Sequence, residues 1–95
     1  MTAYVISEVE TRDPEAMARY RLMAADSIAL YGGRYVVRGG PIETLEGGWT
    51  PEAMVIVAFD TTDQARAWYA SPEYAEALTV RQTALARRLI LVEGV

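Results

Sequence analysis

Residues 3–10, "AYVISEVE", decide the fold that this sequence predicts. Side chains along a β-strand point alternately to its two sides, so every second residue shares a face. Val5 and Val9 lie on one predicted face, and Tyr4 and Ile6 lie on the other. Because both faces are mostly apolar, the segment is typical of a strand inside a sheet that is covered on both sides.

A long helix is predicted to follow this strand. In "TRDPEAM", Asp13 stands where an N-cap is expected and Pro14 takes the first helical position. An apolar stripe at helical spacing follows, formed by Met17, Tyr20, Ala24, Ile28 and Tyr31. Gly32 and Gly33 then end the helix, because glycine readily takes the left-handed conformation of a C-cap.

Two strands and a long loop are predicted in the middle of the chain. The strands cover residues 34–38 and 53–60, and the second is again apolar on both faces. Between them, residues 39–52 contain four glycines and two prolines, which is typical of a loop. Loops of this length in a small domain are often functional or flexible.

The C-terminal part predicts two helical segments and a last strand. Thr61 or Thr62 caps the first segment, which reaches about residue 69. Ser71 caps the second, with Pro72 at its first position, and this helix reaches about residue 86. The last strand is then expected to begin at Arg88.

The order β-α-β-β-α-β predicts a single α+β domain, residues 1–95, with the ferredoxin-like plait. Helices on such a sheet cover one face only, whereas three of the four strands are apolar on both. The uncovered face is therefore expected to lie against the sheet of a second copy, which gives a homodimer joined sheet to sheet.

The composition excludes several kinds of chemistry. The chain has no His, Cys or Lys, and all nine of its basic residues are Arg. Triads that need His, thiolate nucleophiles, His-ligated metals and Lys-bound cofactors are excluded, and no metal site or cofactor is predicted. A net charge of −4 with scattered arginines argues against nucleic acid and anionic membranes as partners. With no apolar run near the ~20 residues of a membrane span and no signal-peptide pattern, the protein is expected in the cytoplasm.

Arg34 and Arg38 are the first candidate site residues. By strand alternation they share a face with Val36. Two interpretations stay open: both arginines are structural, paired with Glu8, Asp60 or a glutamate of a second copy, or at least one holds an anionic or carbonyl-bearing ligand in a bidentate fork. In the second case the neighbouring glycines 39 and 40 let the backbone approach that ligand.

The aromatic residues give the second set of candidates. Most of them are expected to pack in the core or at an interface. If a pocket exists, Tyr20 and Trp49 are its expected walls. A tyrosine beside an arginine is also the best candidate for a proton donor, since the positive charge is expected to lower the pKa of the phenol. Glu8 either neutralises an arginine or acts as a base.

Three segments together resemble one known family. These are "YGGRYVVRGGPIETLEG", "VIVAFDTTDQARAWYASPEYAEALTVRQ" and the closing "LILVEG", and the chain is similar to the domain of unknown function 1330 family over nearly its whole length. The resemblance implies a dimeric α/β barrel of the ferredoxin-like class. The family pattern falls on Tyr20, Gly33, Arg34, Arg38, Gly39, Gly40, Phe59, Trp68, Tyr69, Ser71, Tyr74, Arg81 and Gly94.

The chain also departs from the family pattern. The family often has Arg where Ala53 stands and Glu where Ala58 stands. If that Glu is catalytic or pairs with an arginine in the family, its role is taken here by Glu8 or Asp60, or is lost. The family has no settled activity, and its barrel relatives include cofactor-free monooxygenases, lactone isomerases, polyketide cyclases and haem-degrading enzymes, many of which use a His that this chain lacks.

The leading functional hypothesis is a cofactor-free enzyme that isomerises, cyclises or oxidises a small organic acid or aromatic compound. Arg38 orients the ligand's carboxylate or enolate, Tyr20 donates or relays a proton, Glu8 is the candidate base, and Trp49 shields the site. The predicted ligand-binding set is Arg34, Gly39, Gly40, Trp49, Trp68, Tyr69, Tyr74 and Arg81. Arg81 is alternatively a surface or tethering charge. The alternative function is a non-catalytic homodimeric binding or assembly module.

Overall fold

The computed structural model describes all residues from 1 to 95. Four strands and three helices follow one another as β1 (Ala3–Thr11), α1 (Pro14–Leu30), β2 (Arg34–Arg38), β3 (Ala53–Phe59), α2 (Thr62–Tyr69), α3 (Pro72–Ala84) and β4 (Leu85–Glu93). The strands form one antiparallel sheet in the order β2-β3-β1-β4. This is the predicted ferredoxin-like plait, with its second helical region divided into α2 and α3. None of the helices is both long and apolar enough to cross a lipid bilayer.

The helices begin where the sequence predicts, because polar side chains accept hydrogen bonds from otherwise free backbone N–H groups. Asp13 accepts from the amides of Glu15 and Ala16 at the start of α1. Thr61 caps α2 in the same way, and Ser71 caps α3. The break between α2 and α3 follows from the Ser71 cap and from Pro72 directly after it.

The two faces of the sheet have different surroundings. One face, here called the helix face, packs against the helices and contains Val5, Val9 and Phe59, all buried. The opposite face, here called the open face, is covered by no helix. Most of its apolar residues remain partly exposed, with Ile90 at 57% and Val92 at 40%. The helix face is therefore the only side of the sheet with a completed core in one protomer.

Gly33 shows why the turn from α1 to β2 is so tight. A Cβ atom built on Gly33 would come within 2.8 Å of Ile28 and within 2.7 Å of the Phe59 ring. Distances this short are repulsive, so only glycine allows α1 and β3 to pack this closely at that point.

Two details of the strands differ from the sequence prediction. Strand β2 contains a bulge: Tyr35 lies opposite Val57, but Val37 lies opposite Ile56, so β2 has one extra residue. Strand β4 begins at Leu85, three residues earlier than expected, because its pairing with β1 continues that far. Both differences decide which arginines face the helices.

Candidate functional site

A cavity of about 510 Å³ lies between α1 and the helix face of the sheet. Hydrophobic side chains make up 13 of its 19 lining residues, contributed by α1, α2 and all four strands. Three lining residues are arginines, namely Arg21, Arg38 and Arg87, and no aspartate or glutamate lines it. In a chain with net charge −4, this cavity is therefore an apolar space with an excess of positive charge.

The polar centre of the cavity wall is a cluster of Tyr20, Tyr74 and Arg87, here called the phenol–arginine cluster. The phenol oxygens of Tyr20 and Tyr74 lie 2.7 Å apart and share a hydrogen bond between α1 and α3. From β4, the Nη1 atom of Arg87 donates to Tyr20 at 2.6 Å, and its Nη2 atom donates to Tyr74. One guanidinium therefore fixes two buried phenols, of which Tyr20 lines the cavity, and both rings lie within cation–π distance of it.

The ionisation of Tyr20 differs from the sequence prediction. A neighbouring arginine was expected to lower the pKa of the phenol, and Arg87 does act in that direction. Burial acts more strongly, and together with Tyr74 it raises the pKa of Tyr20 well above its ordinary value. Tyr20 is therefore a neutral hydrogen-bond donor over the whole physiological range.

Arg38 lies at the mouth of the same cavity. Its guanidinium stacks on the Tyr35 ring, with Cζ 4.3 Å from the ring centroid. Arg38 is exposed and forms no ion pair within the protomer, so its hydrogen-bond donors are free for a ligand. Gly39 follows it with φ +71° and also lines the cavity, which lets the backbone turn away at the rim. Burial raises the pKa of Tyr35 in spite of the nearby charge.

Arg34 and Arg38 lie on opposite faces of the sheet, so the prediction that they share a face is wrong. The bulge in β2 places Arg34 opposite Ala58 on the open face and Arg38 opposite Val55 on the helix face. Arg34 pairs with Asp60 at 3.5 Å, and both side chains are largely exposed. Of the two arginines, only Arg38 reaches the cavity.

Glu8 and Trp49 also lie away from the cavity, on the open face. Glu8 faces Arg88 directly across β1 and β4, and the Nε atom of Arg88 donates to it at 2.7 Å. The indole of Trp49 donates to the other carboxylate oxygen at 2.8 Å. These two hydrogen bonds lower the pKa of Glu8. The predicted placement of Trp49 as a cavity wall is thus wrong, and Glu8 pairs with an arginine instead of facing a ligand.

The other predicted ligand residues are divided between the core and the surface. Trp68 is buried, lines the cavity and donates from its indole to Ser27 at 3.0 Å. Tyr74 is fully buried behind Tyr20. Tyr69 and Arg81 line a smaller neighbouring pocket of about 280 Å³, which shares Arg87 with the main cavity. Gly40 is exposed and does not line the cavity.

Arg87 is the site residue that the sequence analysis missed. With the last strand predicted to begin at Arg88, Arg87 fell in the turn before it. The signal that could have found it is the alternation Leu85, Arg87, Leu89, which continues one face of the strand backwards. An arginine between two leucines on a buried face is unusual, because a buried charge requires polar partners.

The cavity can bind and stabilise an anion, but it contains no carboxylate that could act as a base. Its charged groups are guanidinium groups, and its neutral donors are the phenols of Tyr20 and Tyr35 and the hydroxyls of Ser7 and Thr11. Nowhere in the chain do three or more His, Cys, Asp or Glu side chains come together as a group that could hold a metal ion. The chemistry that the residues themselves support is stabilisation of negative charge on a bound organic molecule.

A family model matches almost the whole chain. The match to the domain of unknown function DUF1330 spans residues 2–95. The chain belongs to this family. No functionally curated protein shows significant similarity to it. The family membership therefore identifies a fold and a pattern of residues, and assigns no activity.

Solved structures with the same fold come from several bacteria. RPA0582 of Rhodopseudomonas palustris, a protein of unknown function, superimposes with a TM-score of 0.80 at 21% identity, over 99% of this chain and 82% of the other. SnoaB of Streptomyces nogalater, described as a cofactor-independent oxygenase, superimposes with a TM-score of 0.67 at 12% identity, over 98% of this chain and 92% of the other. A dimeric ferredoxin-like protein of unknown function from Thermobifida fusca superimposes with a TM-score of 0.66 at 18% identity, over 99% of this chain and 92% of the other. At these identities the similarity shows the fold alone.

Proposed function

We propose that this protein binds a small aromatic or unsaturated organic acid in the cavity and acts on it as a cofactor-free enzyme that stabilises its anion. The observation that carries the proposal is the composition of the cavity wall: mostly hydrophobic side chains, three arginines and no acidic residue. An apolar cavity of this volume suits a ligand of one or two rings. The unpaired positive charge selects a ligand that carries negative charge.

Arg38 is the proposed carboxylate anchor. Its guanidinium is held in place by Tyr35 but keeps its donors free, and a guanidinium presents two parallel N–H groups to a carboxylate. Because Arg38 lies at the mouth, the ligand's ring would point inward, toward Trp68 and the apolar strand residues. Tyr20 would donate a hydrogen bond at the inner end, since its raised pKa keeps the proton on the phenol.

The fold similarity supports a catalytic role. A ferredoxin-like neighbour is described as a cofactor-independent oxygenase, so this fold is compatible with chemistry on an organic molecule without a prosthetic group. Enolate or phenolate intermediates are common to isomerisation, cyclisation and cofactor-free oxidation, and each gains from preorganised donors in a water-poor cavity. Glu8 has no part in this proposal, because it lies on the open face.

A thermal-shift screen of small carboxylates and aromatic acids tests the proposal, with molecular mass followed by light scattering. A ligand at a hundred times its Kd stabilises the folded state by about 2.7 kcal/mol, which raises the Tm by several degrees. We expect such a shift for wild type and a much smaller one for Arg38→Ala at unchanged mass. No shift with any compound, together with dissociation of Arg38→Ala, would contradict the proposal and favour a pure assembly module.

We also propose that two copies associate through their open faces. Apolar side chains of three strands remain partly exposed there, among them Ile6, Ile56 and Ile90. Exposed apolar surface of this kind on a sheet usually marks an interface. Two of the solved structures with this fold are described as dimeric ferredoxin-like proteins. In such a dimer the cavities would lie on the outer sides of the two sheets and remain accessible.

A further inference from the structure

The phenol–arginine cluster has one hydroxyl hydrogen for which the protein supplies no acceptor. Each phenol carries one hydrogen, and the bond between Tyr20 and Tyr74 uses one of the two. Arg87 only donates, so it accepts neither. If Tyr74 donates to Tyr20, the hydrogen of Tyr20 is the free one. We assign this direction because Tyr74 is fully buried and a free hydrogen there would have no acceptor, whereas Tyr20 lines the cavity, where a ligand can accept it.

The cluster also carries one positive charge without a carboxylate. Arg87 forms no ion pair within the protomer, and the residues lining the cavity include no acid. Its guanidinium is partly buried and bonded to two neutral oxygens. A charge in such surroundings is stabilised when an anion lies nearby.

The geometry favours a single oxygen over a carboxylate at this position. The Nη1–Nη2 edge of Arg87 already donates to the two phenols, so this pair of N–H groups is not free for a bidentate carboxylate. Between them, the two phenols leave one hydroxyl donor, and the guanidinium lies directly behind it. This arrangement suits one oxygen atom that bears or develops negative charge, as in a phenolate or an enolate. The N–H groups of Arg38 have no hydrogen-bond partner within the protomer, so Arg38 is the better partner for a carboxylate.

We propose that the phenol–arginine cluster is an oxyanion subsite, which binds the ionised hydroxyl of a phenol or enol at the inner end of the cavity. The inference rests on the proposed function and makes it narrower: the ligand is an acid with an acidic hydroxyl at the end opposite its carboxylate, such as a hydroxyaromatic acid. Tyr20 donates to the ionised oxygen, and Arg87 stabilises its charge through the two phenols.

The chromophore 4-nitrophenol tests this directly, because its absorbance reports whether its hydroxyl is ionised. We expect the bound probe to titrate at least one pH unit lower than the free probe, which corresponds to about tenfold tighter binding of the anion than of the neutral phenol. Arg87→Met should abolish most of this shift. Arg34→Met is the matched control: it removes the same charge from the open face and should keep the shift.

Tyr20→Phe provides a second variant in case Arg87→Met does not fold. It removes the proposed donor, keeps the guanidinium and should reduce the shift, with folding checked by circular dichroism. The inference is overturned if 4-nitrophenol binds without a lowered pKa, or if both cluster variants keep the full shift.

Benzoate separates the two proposals. Benzoate binding without 4-nitrophenol binding overturns the oxyanion subsite alone, whereas binding of neither compound overturns the proposed function as well.

Discussion

Tyr20 on α1 and Tyr74 on α3 bring their phenol oxygens to 2.7 Å, although 54 residues separate them in the chain. Both rings are buried, at 7% and 0% exposure, and pack edge to face. Arg87 reaches the same two oxygens from β4. Three elements therefore meet at one hydrogen-bonded cluster, which joins the helix layer to the sheet and places a cation at the cavity wall.

Stability at alkaline pH should depend on Tyr20. Its pKa is raised in the folded state, whereas a tyrosine of the unfolded chain ionises near pH 10. Below that pH both states keep the proton, and protonated Tyr20 makes its full contribution to the free energy of unfolding. Above it the unfolded state loses the proton first, so the free energy of unfolding falls by up to about 1.4 kcal/mol per pH unit for this group.

Urea unfolding between pH 8 and pH 11.5 measures this dependence. Tyr20→Phe should be less stable than wild type at pH 8 but should lose less stability as the pH rises. Tyr31 and Tyr35 also have raised pKa values, so part of the alkaline slope remains in the variant. Equal slopes for the two proteins would show that Tyr20 ionises as easily in the folded state as in the unfolded one.

Gly33→Ala should destabilise the fold. The added methyl group would lie within 2.8 Å of Ile28 and 2.7 Å of Phe59, and Phe59 is fully buried and cannot move away freely. Overpacking of this kind costs about 1–3 kcal/mol. Gly40→Ala is the matched control, because nothing lies within 4 Å of a Cβ atom at that position. Chemical denaturation of both variants gives the comparison, and a neutral Gly33→Ala would mean that α1 does not approach β3 this closely.

The two tryptophans should report on different sides of the sheet. Trp68 is buried and lines the cavity, whereas Trp49 is 56% exposed and lies on the open face beside Glu8. A ligand in the cavity should therefore change the fluorescence of Trp49→Phe, in which only Trp68 emits. The same ligand should have little effect on Trp68→Phe, provided that this variant still binds it. Quenching confined to Trp49 would place the ligand on the open face.

Ile90→Arg should weaken the proposed dimer. Ile90 is 57% exposed on the open face, opposite Ile6 of β1, so a charge there would be buried without a partner when two sheets meet. Light scattering should show a fall toward the monomer mass, while circular dichroism stays unchanged. Leu22→Arg on α1, where Leu22 is 71% exposed, provides a control away from the open face. An unchanged mass for Ile90→Arg would argue for another interface.

The fold was predictable from the sequence because its signals are local. Asp13, Thr61 and Ser71 cap their helices as expected, and the apolar alternation of β1 is the one the structure shows. The bulge in β2 was not predictable in this way. It depends on how β2 pairs with β3. A single extra residue is enough to place Arg34 on the open face and Arg38 on the helix face.

The site was predictable only in part, for the same physical reason. Tyr20 and Arg38 line the cavity as the sequence analysis proposed, and their helix and strand positions carried that information. Trp49 lies on a long loop, whose course over the open face depends on distant contacts such as its bond to Glu8. Arg87 was missed because the helix-to-strand boundary at Leu85 is set by pairing with Thr11, and its one local signal is the short alternation of Leu85, Arg87 and Leu89.

Calorimetric titration with 4-hydroxybenzoate and with its neutral amide tests the central claim most directly. The two compounds have similar shapes and differ in the charge that Arg38 is proposed to hold. We expect wild type to bind the acid at least about tenfold more tightly than the amide, since a charge-assisted hydrogen bond contributes about 1.5–3 kcal/mol. Arg38→Met should lose most of this preference, and Arg34→Met should keep it. Equal affinity for the two compounds in wild type would contradict the claim that the cavity selects an organic anion.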